Sequence, residues 1–334
     1  MGDGQTMKAY RADRFGGLDA LGLVEVEAPE PGPGQARIAV RAAGLHLADV
    51  AALAGQRQPR IAPPFVPGFE VSGVVSALGP GTAGLAIGQP VIAFLPSGGL
   101  AEEAVAEIAL CVPLPDGLAF GRAAGLPLAY GGALMALRDR AGLAAGETLL
   151  VLGAGGQAGL AAIEIGKYLG ANVIAAAGQA ARLEAALEQG ADHSIDSAAT
   201  PLGEAVLALT EGHGADVLFD PVGGDASAAA LAALAPGARM LCAGFAAGKA
   251  PALNAQTLYA RDATLITVNV PLMVARQPER ARHALGDVAG WAAAGEIRPR
   301  VAAQFVFEEA RHAFDYVMAR RGSGAVVVTI SGTV

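Results

Sequence analysis

The sequence predicts an α/β chain in two parts, a small all-β unit followed by a doubly wound parallel sheet. Three observations carry that reading. From residue 148 to 268, short apolar runs of strand length alternate with stretches of helical periodicity. The first of those runs breaks into glycine at 153–159 (GAGGQAG) and then opens into a helical pattern. The first 125 residues instead show short apolar segments parted by proline and glycine clusters, the pattern of β-structure with tight turns.

The β-rich part has apolar segments at 22–26, 36–43, 66–78, 90–95 and 103–113. PEPGPG at 29–34 and GPG at 79–81 punctuate them, and a small barrel is the expected form. Residues 148–152 then read as a buried strand bounded by Gly146 and Gly153. Leu160, Ile163 and Leu169 share one face of the next helix, Lys167 lies near its C-terminal end, and Gly170 stops it. With a second apolar strand at 172–177 this makes a βαβ unit. Helices are expected at 179–189, 201–211 and 225–235, and strands at 193–196, 215–220, 238–243 and 263–268. Such alternation calls for a parallel sheet covered on both faces. Beyond it, 278–295 and 308–320 read as helices, and 302–307 and 325–330 as strands. A doubly wound sheet needs no such tail, which is expected to return to the first part. The resulting division is 1–125, 126–268 and 269–334.

Bulk properties narrow the function classes. A chain of 334 residues has room for two cores. Its net charge of -8 argues against nucleic acid or an anionic membrane as main partner. No uninterrupted apolar run reaches the ~18 residues of a membrane span. Residues 1–7 show no signal-peptide anatomy and read as a short disordered leader before Met7. The two cysteines, Cys111 and Cys242, sit in apolar strand-like runs as expected core thiols, which suits a reducing, cytoplasmic setting.

The glycine segment is where chemistry first shows. Glycines allow a tight turn and close backbone approach, and the first turn of the next helix offers N–H groups to a pyrophosphate. Strict G-x-G-x-x-G spacing fails, because Gly153 and Gly155 fit but the third position is Ala158. The register Gly153, Gly156, Gly159 fits better, with Gln157 and Ala158 between. An acidic residue at the end of the second strand would hold the ribose of NAD. Here that position reads Ala175–Ala177 and Gly178, and Arg182 follows as a partner for a 2′-phosphate. NADPH is therefore the expected cofactor. DPVGGD at 220–225 follows a strand, so Val222 and Gly223 are placed to line the cofactor groove, with Asp225 as a helix cap. Gly244 and Phe245, after the strand ending near Cys242, are placed likewise.

Several blocks carry a wider resemblance: MKAY at 7–10, AGLHLAD at 43–49, PGFEVSGVV at 67–75, LPLAYGG at 126–132, GADH at 190–193, DPVGGD at 220–225 and GFAAG at 244–248. In order and spacing the chain resembles the medium-chain dehydrogenase/reductase superfamily, specifically its zinc-independent NADPH:quinone oxidoreductase branch. The resemblance implies a GroES-like β-barrel catalytic domain, a Rossmann nucleotide-binding domain and a homodimer or homotetramer. It implies hydride transfer from NADPH to a quinone or an activated α,β-unsaturated carbonyl compound. In zinc-dependent relatives a Cys stands at His46, a His at Phe69 and a relay hydroxyl at Ala48, and two cysteines cannot form the structural zinc cluster. No metal is therefore expected.

The resemblance leaves few candidates for the chemistry. His46 can donate a hydrogen bond or a proton to the substrate. Asp49 either orients His46 or caps a helix. Tyr130, which the resemblance places beside the nicotinamide, offers its hydroxyl or packs its ring. The other four histidines, at 193, 213, 283 and 312, read as structural or solvated. The sequence departs from the branch at several places. ALAGQ at 52–56 lacks the Arg and Tyr common there. Gly132, Gly178 and Ala325 stand for Thr, Ser and Lys, and Gly88–Gln89 for Gly-Asp. A roomier, more apolar substrate pocket is expected. Two alternatives stand beside the quinone or enone reductase. One is an enoyl-thioester reductase, for which Arg276, Arg280 and Arg282 would receive coenzyme A phosphates. The other is a non-catalytic NADPH-binding sensor or structural protein.

Overall fold

Alternating burial sets the first strands of the computed structural model, which describes residues 6–330. β1 (Thr6–Ala12) and β2 (Leu21–Glu27) pair antiparallel, with Met7 opposite Val26. Thr6 already belongs to β1, and the rest of the expected leader lies outside the described residues. β3 (Gln35–Leu45) buries Ala36, Ile38, Val40 and Ala42 at every second position, as a half-buried strand must. α1 (Leu47–Leu53) follows at once, then β4 (Glu70–Leu78), β5 (Pro90–Phe94), β6 (Glu103–Glu107) and β7 (Cys111–Pro113).

Two strands expected from the sequence change at their ends. The run 66–78 becomes a strand only from Glu70, because Pro67 has no donor and Gly68 takes φ +99°. The run 103–113 splits around a 3-10 turn at Ile108–Leu110, because β6 pairs with β3 whereas β7 pairs with β5.

After α2 (Phe120–Ala123) the chain forms a π-helical turn at Pro127–Gly131, α3 (Gly132–Leu134) and a second π-helical stretch at Met135–Arg140. The parallel region then alternates as expected: β8 (Thr148–Leu152), α4 (Gln157–Tyr168), β9 (Asn172–Ala177), α5 (Ala180–Glu188), β10 (His193–Asp196), α6 (Leu202–Leu209), β11 (Ala215–Asp220), α7 (Gly224–Ala230), β12 (Leu234–Cys242). The helix expected at 225–235 stops at Ala230, since Leu234 is already paired with Ala215 in the sheet. α8 (Ala255–Ala260), β13 (Thr264–Thr267) and α9 (Val270–Arg276) follow, the two helices unforeseen. α10 (Pro278–Ala294), β14 (Val301–Val306), α11 (Ala310–Met318) and β15 (Ala325–Thr329) complete the chain.

The chain divides into two compact units. One comprises the chain up to Gly131, Pro271–Gly295 and the chain from Pro299 onward. The other comprises Gly132–Val270 and Glu296–Arg298. The sequence division at 125/126 and 268/269 is thus shifted by the helical stretch after Pro127 and by α9.

In the first unit the strand order is β14-β15-β3-β4-β5-β7, with β6 also on β3. β15 pairs antiparallel with β3, Val327 opposite Gly44, which is how the C-terminal tail rejoins the barrel. The core inside combines Ile38, Phe69, Val71 and Val91 with Phe307 and Phe314 from the tail. In the second unit six parallel strands run in the order β10-β9-β8-β11-β12-β13. The order reverses between β8 and β11, the switch point at which such sheets open a crevice beyond their carboxyl ends.

Phe314 is fully buried in the core of the first unit. Phe314→Ala is expected to cost about 3–5 kcal/mol. Urea unfolding followed by probes in each unit should show the loss in the first unit's transition and leave the second unit's midpoint in place.

Candidate active site

The glycine segment behaves as a cradle. Gly153 leaves β8 at φ +59°, a conformation that favours glycine, and a Cβ there would lie 2.7 Å from Val222 Cγ2. The N–H of Gly156 bonds to the carbonyl of Gly153 at 2.9 Å, and Gly156 is the N-cap of α4. Gln157 and Ala158 form its first turn, where backbone donors have no partner within the helix. Gly159 is buried against the loop, and a Cβ there would strike the Gly153 carbonyl and Ala154. Gly155 is buried beneath the stem of Arg182, whose Cα would lie 2.8 Å from an added Cβ. Arg182 therefore stands over the loop from the start of α5.

The other predicted groove residues gather at the same edge of the sheet. Ala177 ends β9, Gly178 is exposed directly after it, and neither places a carboxylate there. Val222 and Gly223 are fixed by Asp220, a buried residue at the end of β11. Its Oδ1 accepts both of their N–H groups, at 2.8 and 2.9 Å, and its Oδ2 accepts the Ser227 hydroxyl. Gly244 packs on the Pro221 carbonyl, and Phe245 is 55 % exposed. The sequence shows Asp220 only as part of a motif; its role is to shape the turn that carries Val222 and Gly223.

In the first unit a different group forms. His46 is the N-cap of α1, and its Nε2 lies 2.5 Å from Glu70 Oε1. The Glu70 side chain is fully buried, whereas that of His46 keeps 14 % exposure. The second Glu70 oxygen accepts the N–H of Leu128 at 2.7 Å, in the π-helical turn that begins at Pro127. Gly44 on β3 makes room: a Cβ there would overlap Glu70 Oε1 and approach the Ala124 carbonyl to 2.7 Å.

Asp49 holds backbone, not the imidazole's Nε2. Its carboxylate accepts the N–H of His46 at 2.9 Å and that of Gly68 at 2.8 Å, tying the helix start to the loop before β4. Burial pushes its pKa up to about 6, against the lowering effects of His46 and the two N–H donors. For His46 burial opposes the charged ring, yet the Glu70 charge and hydrogen bond outweigh it and the pKa is raised from 6.5. Tyr130 is nearly buried within the π-helical turn.

Glu70, which the resemblance places near His46 but which the sequence does not mark as a candidate for the chemistry, is the side chain that engages its ring. Its partnership with His46 spans 24 residues and leaves no local signal. Zinc does not suit these donors. Phe69 offers no ligand, the Arg57 guanidinium lies 4.1 Å from its ring centroid, and His46 Nε2 is engaged by Glu70. No three His, Cys, Asp or Glu among the described residues are grouped to hold a metal.

The remaining polar candidates lie elsewhere. His213 pairs with Asp216 at 2.8 Å, and His193, His283 and His312 are exposed. Arg276, Arg280 and Arg282 are all exposed at the α9–α10 junction. Cys111 is buried, its thiol pushed up to about 12, whereas Cys242 is only half-buried at the end of β12, so the expected pair of core thiols holds for one. No described helix is long and apolar enough to cross a membrane.

Glu70→Gln is expected to lower the His46 pKa below 6.5, because burial then dominates. An NMR titration of the ring nitrogens reads this directly. The sign also fixes a stability effect. With a folded pKa above 6.5, the His46 contribution is whole below that pH and is lost as pH rises through the raised value. The variant should lack that decline.

Comparison with known proteins agrees with this arrangement. Residues 32–116 match the alcohol dehydrogenase GroES-like domain, and residues 158–285 match the zinc-binding dehydrogenase family. The chain is 32% identical to quinone oxidoreductase-like protein 2 of Bos taurus over 323 residues, 96% of this chain and 93% of that one. Over 319 residues, 95% of this chain, it is 33% identical to a stretch that makes up 14% of a phenolphthiocerol/phthiocerol polyketide synthase of Mycobacterium tuberculosis. Among solved structures, the quinone oxidoreductase from Thermus thermophilus, also solved with NADPH, superposes with a TM-score of 0.84 at 33% identity, over 97% of this chain and 100% of that one. The chain belongs to the medium-chain dehydrogenase/reductase superfamily of oxidoreductases, among quinone oxidoreductase-like proteins.

Proposed function

We propose that the chain is a zinc-independent, NADPH-dependent reductase of quinones or activated α,β-unsaturated carbonyl compounds. The observation that carries this reading is the buried His46–Glu70 pair, with His46 and Phe69 at the positions where the resemblance puts metal ligands in zinc-dependent relatives. NADPH, when bound, supplies the hydride. The residues that fit it are Gly153, Gly155, Gly156, Gln157, Ala158 and Gly159 for the pyrophosphate, and Arg182 for the 2′-phosphate. Ala177, Gly178, Val222, Gly223, Gly244 and Phe245 complete the groove.

As hydride arrives on an electron-poor carbon, negative charge grows on the substrate oxygen. A donor aimed at such an oxygen contributes roughly 10²–10³ in rate. We assign that role to His46: Glu70 engages its Nε2 and raises the ring's pKa, and the proton reaches the substrate when that hydrogen bond is exchanged for one to the substrate oxygen. Asp49 acts by fixing the His46 backbone, and Tyr130 by packing or by its hydroxyl. A homo-oligomer is part of the reading: β13 is an edge strand of the second unit's sheet, and Leu265 on it is exposed.

The likeness to a polyketide synthase favours one second reading, an enoyl-thioester reductase. Under it the exposed Arg276, Arg280 and Arg282 receive coenzyme A phosphates. A non-catalytic NADPH-binding protein is the remaining outcome.

The test follows NADPH and NADH oxidation against a quinone, a vinyl ketone and crotonyl-CoA. Turnover of the first two with a preference for NADPH is expected. His46→Ala should lower kcat by about 10²-fold, and Arg182→Ala should reduce the NADPH preference. Preferred turnover of crotonyl-CoA would favour the thioester reading. Tight NADPH binding with no turnover of any of the three would sink the reductase reading for these substrates.

A further inference from the structure

Arg57 lies one residue beyond the stretch where the sequence lacks the polar residues common to the branch. It is 8 % exposed. Its Nη1 donates to the Pro59 carbonyl at 2.9 Å, and the guanidinium stacks on Phe69. Its Nε is buried and makes no hydrogen bond. Among the described residues no carboxylate lies within 4.0 Å of it. Asp49, whose oxygens accept the His46 and Gly68 N–H groups, acts on it only through space.

A guanidinium withdrawn from water with no carboxylate in contact costs several kcal/mol, which the Asp49 charge, the Phe69 ring and one carbonyl offset only in part. An apolar side chain packed on Phe69 would serve the fold without that cost. The charge is also well placed. Phe69, on which it stacks, directly precedes Glu70, which holds His46. Burial presses the guanidinium pKa down, but an arginine remains charged at neutral pH. Its planar fork suits a carboxylate, which accepts two parallel N–H donors, better than a single carbonyl oxygen.

We propose that Arg57 is a specificity-determining residue that receives a carboxylate carried by the substrate. The turnover part of this proposal rests on the reductase reading above; the binding part does not. A keto-acid with a conjugated double bond is the substrate class it selects. Arg57 would pair with the remote carboxylate while His46 serves the ketone oxygen.

Two measurements on the full-length protein test this. The first compares kcat/KM for NADPH-dependent reduction of trans-3-benzoylacrylate and its methyl ester. The second titrates the saturated analogue 3-benzoylpropionate and its methyl ester calorimetrically in the presence of NADP⁺. The native protein should favour the acid over the ester by ~30-fold or more, the loss typical of removing one member of a buried charge pair. Arg57→Gln should collapse that ratio toward one, and Arg57→Lys, which keeps the charge but not the fork, should retain part of it. Thermal melting of both variants separates lost recognition from lost fold, and the Lys variant stands if the Gln variant does not fold. Equal binding of acid and ester, no binding of either, or an unchanged ratio in a folded Arg57→Gln would overturn the proposal. Acid-selective binding without turnover would uphold Arg57 and fail the reductase reading instead.

Discussion

Burial of the Glu70 carboxylate is the constraint around which the first unit's site is arranged. A carboxylate removed from water must find donors for its oxygens, or it takes up a proton instead. Glu70 finds them on two elements distant in sequence, His46 at the head of α1 and the Leu128 N–H in the π-helical turn. Each donor is there for a local reason. α1 begins at His46 because Asp49 caps it. The Leu128 N–H is spare because it sits in the first turn of a helical stretch that Pro127 opens. Gly44 is the counterpart of both, since any side chain on that face of β3 would displace the carboxylate.

The second unit is organised by close approach of backbones. Gly153, Gly155 and Gly159 are each packed where a Cβ would collide, with Val222, Arg182 and Gly153 respectively. These contacts draw the loop after β8 against the turn after β11, across the switch point of the sheet. Asp220 performs the matching task on the other side, binding two N–H groups and a hydroxyl so that the turn cannot splay. The form of this edge of the sheet depends more on missing side chains than on present ones.

This difference explains what was legible in the sequence. Glycines, alternating apolar runs and helix stops are local signals, so the parallel sheet, the cradle and the returning tail could all be read before the structure. That a helix follows the glycine segment and that no acid ends β9 needed no tertiary information. The pairing of His46 with Glu70 joins residues 24 apart, and the burial of Arg57 depends on Phe69, twelve positions on; neither has a periodicity to betray it. Strand ends failed for a related reason. Apolar character runs through 103–113, but the chain must change partners from β3 to β5 midway, and only the sheet order shows where.

The electrostatics of the first unit also bear on the role proposed for His46. Asp49 and Glu70 are two buried carboxylates near one imidazole. With His46 protonated, one unit of negative charge is offset; once its proton is given up, both carboxylates are left without that cation. Such a state is costly in a medium that screens charge poorly. It therefore draws a proton back onto the pair, and the 14 % of the His46 side chain still open to solvent is the route the structure leaves for it. Asp49, at about 6, lies close enough to neutrality to respond to the same change, so the two titrations are coupled and belong to the cluster rather than to either residue. A pair held this way favours the charged imidazole more than a free histidine does, which is the property the proposed role of His46 calls for.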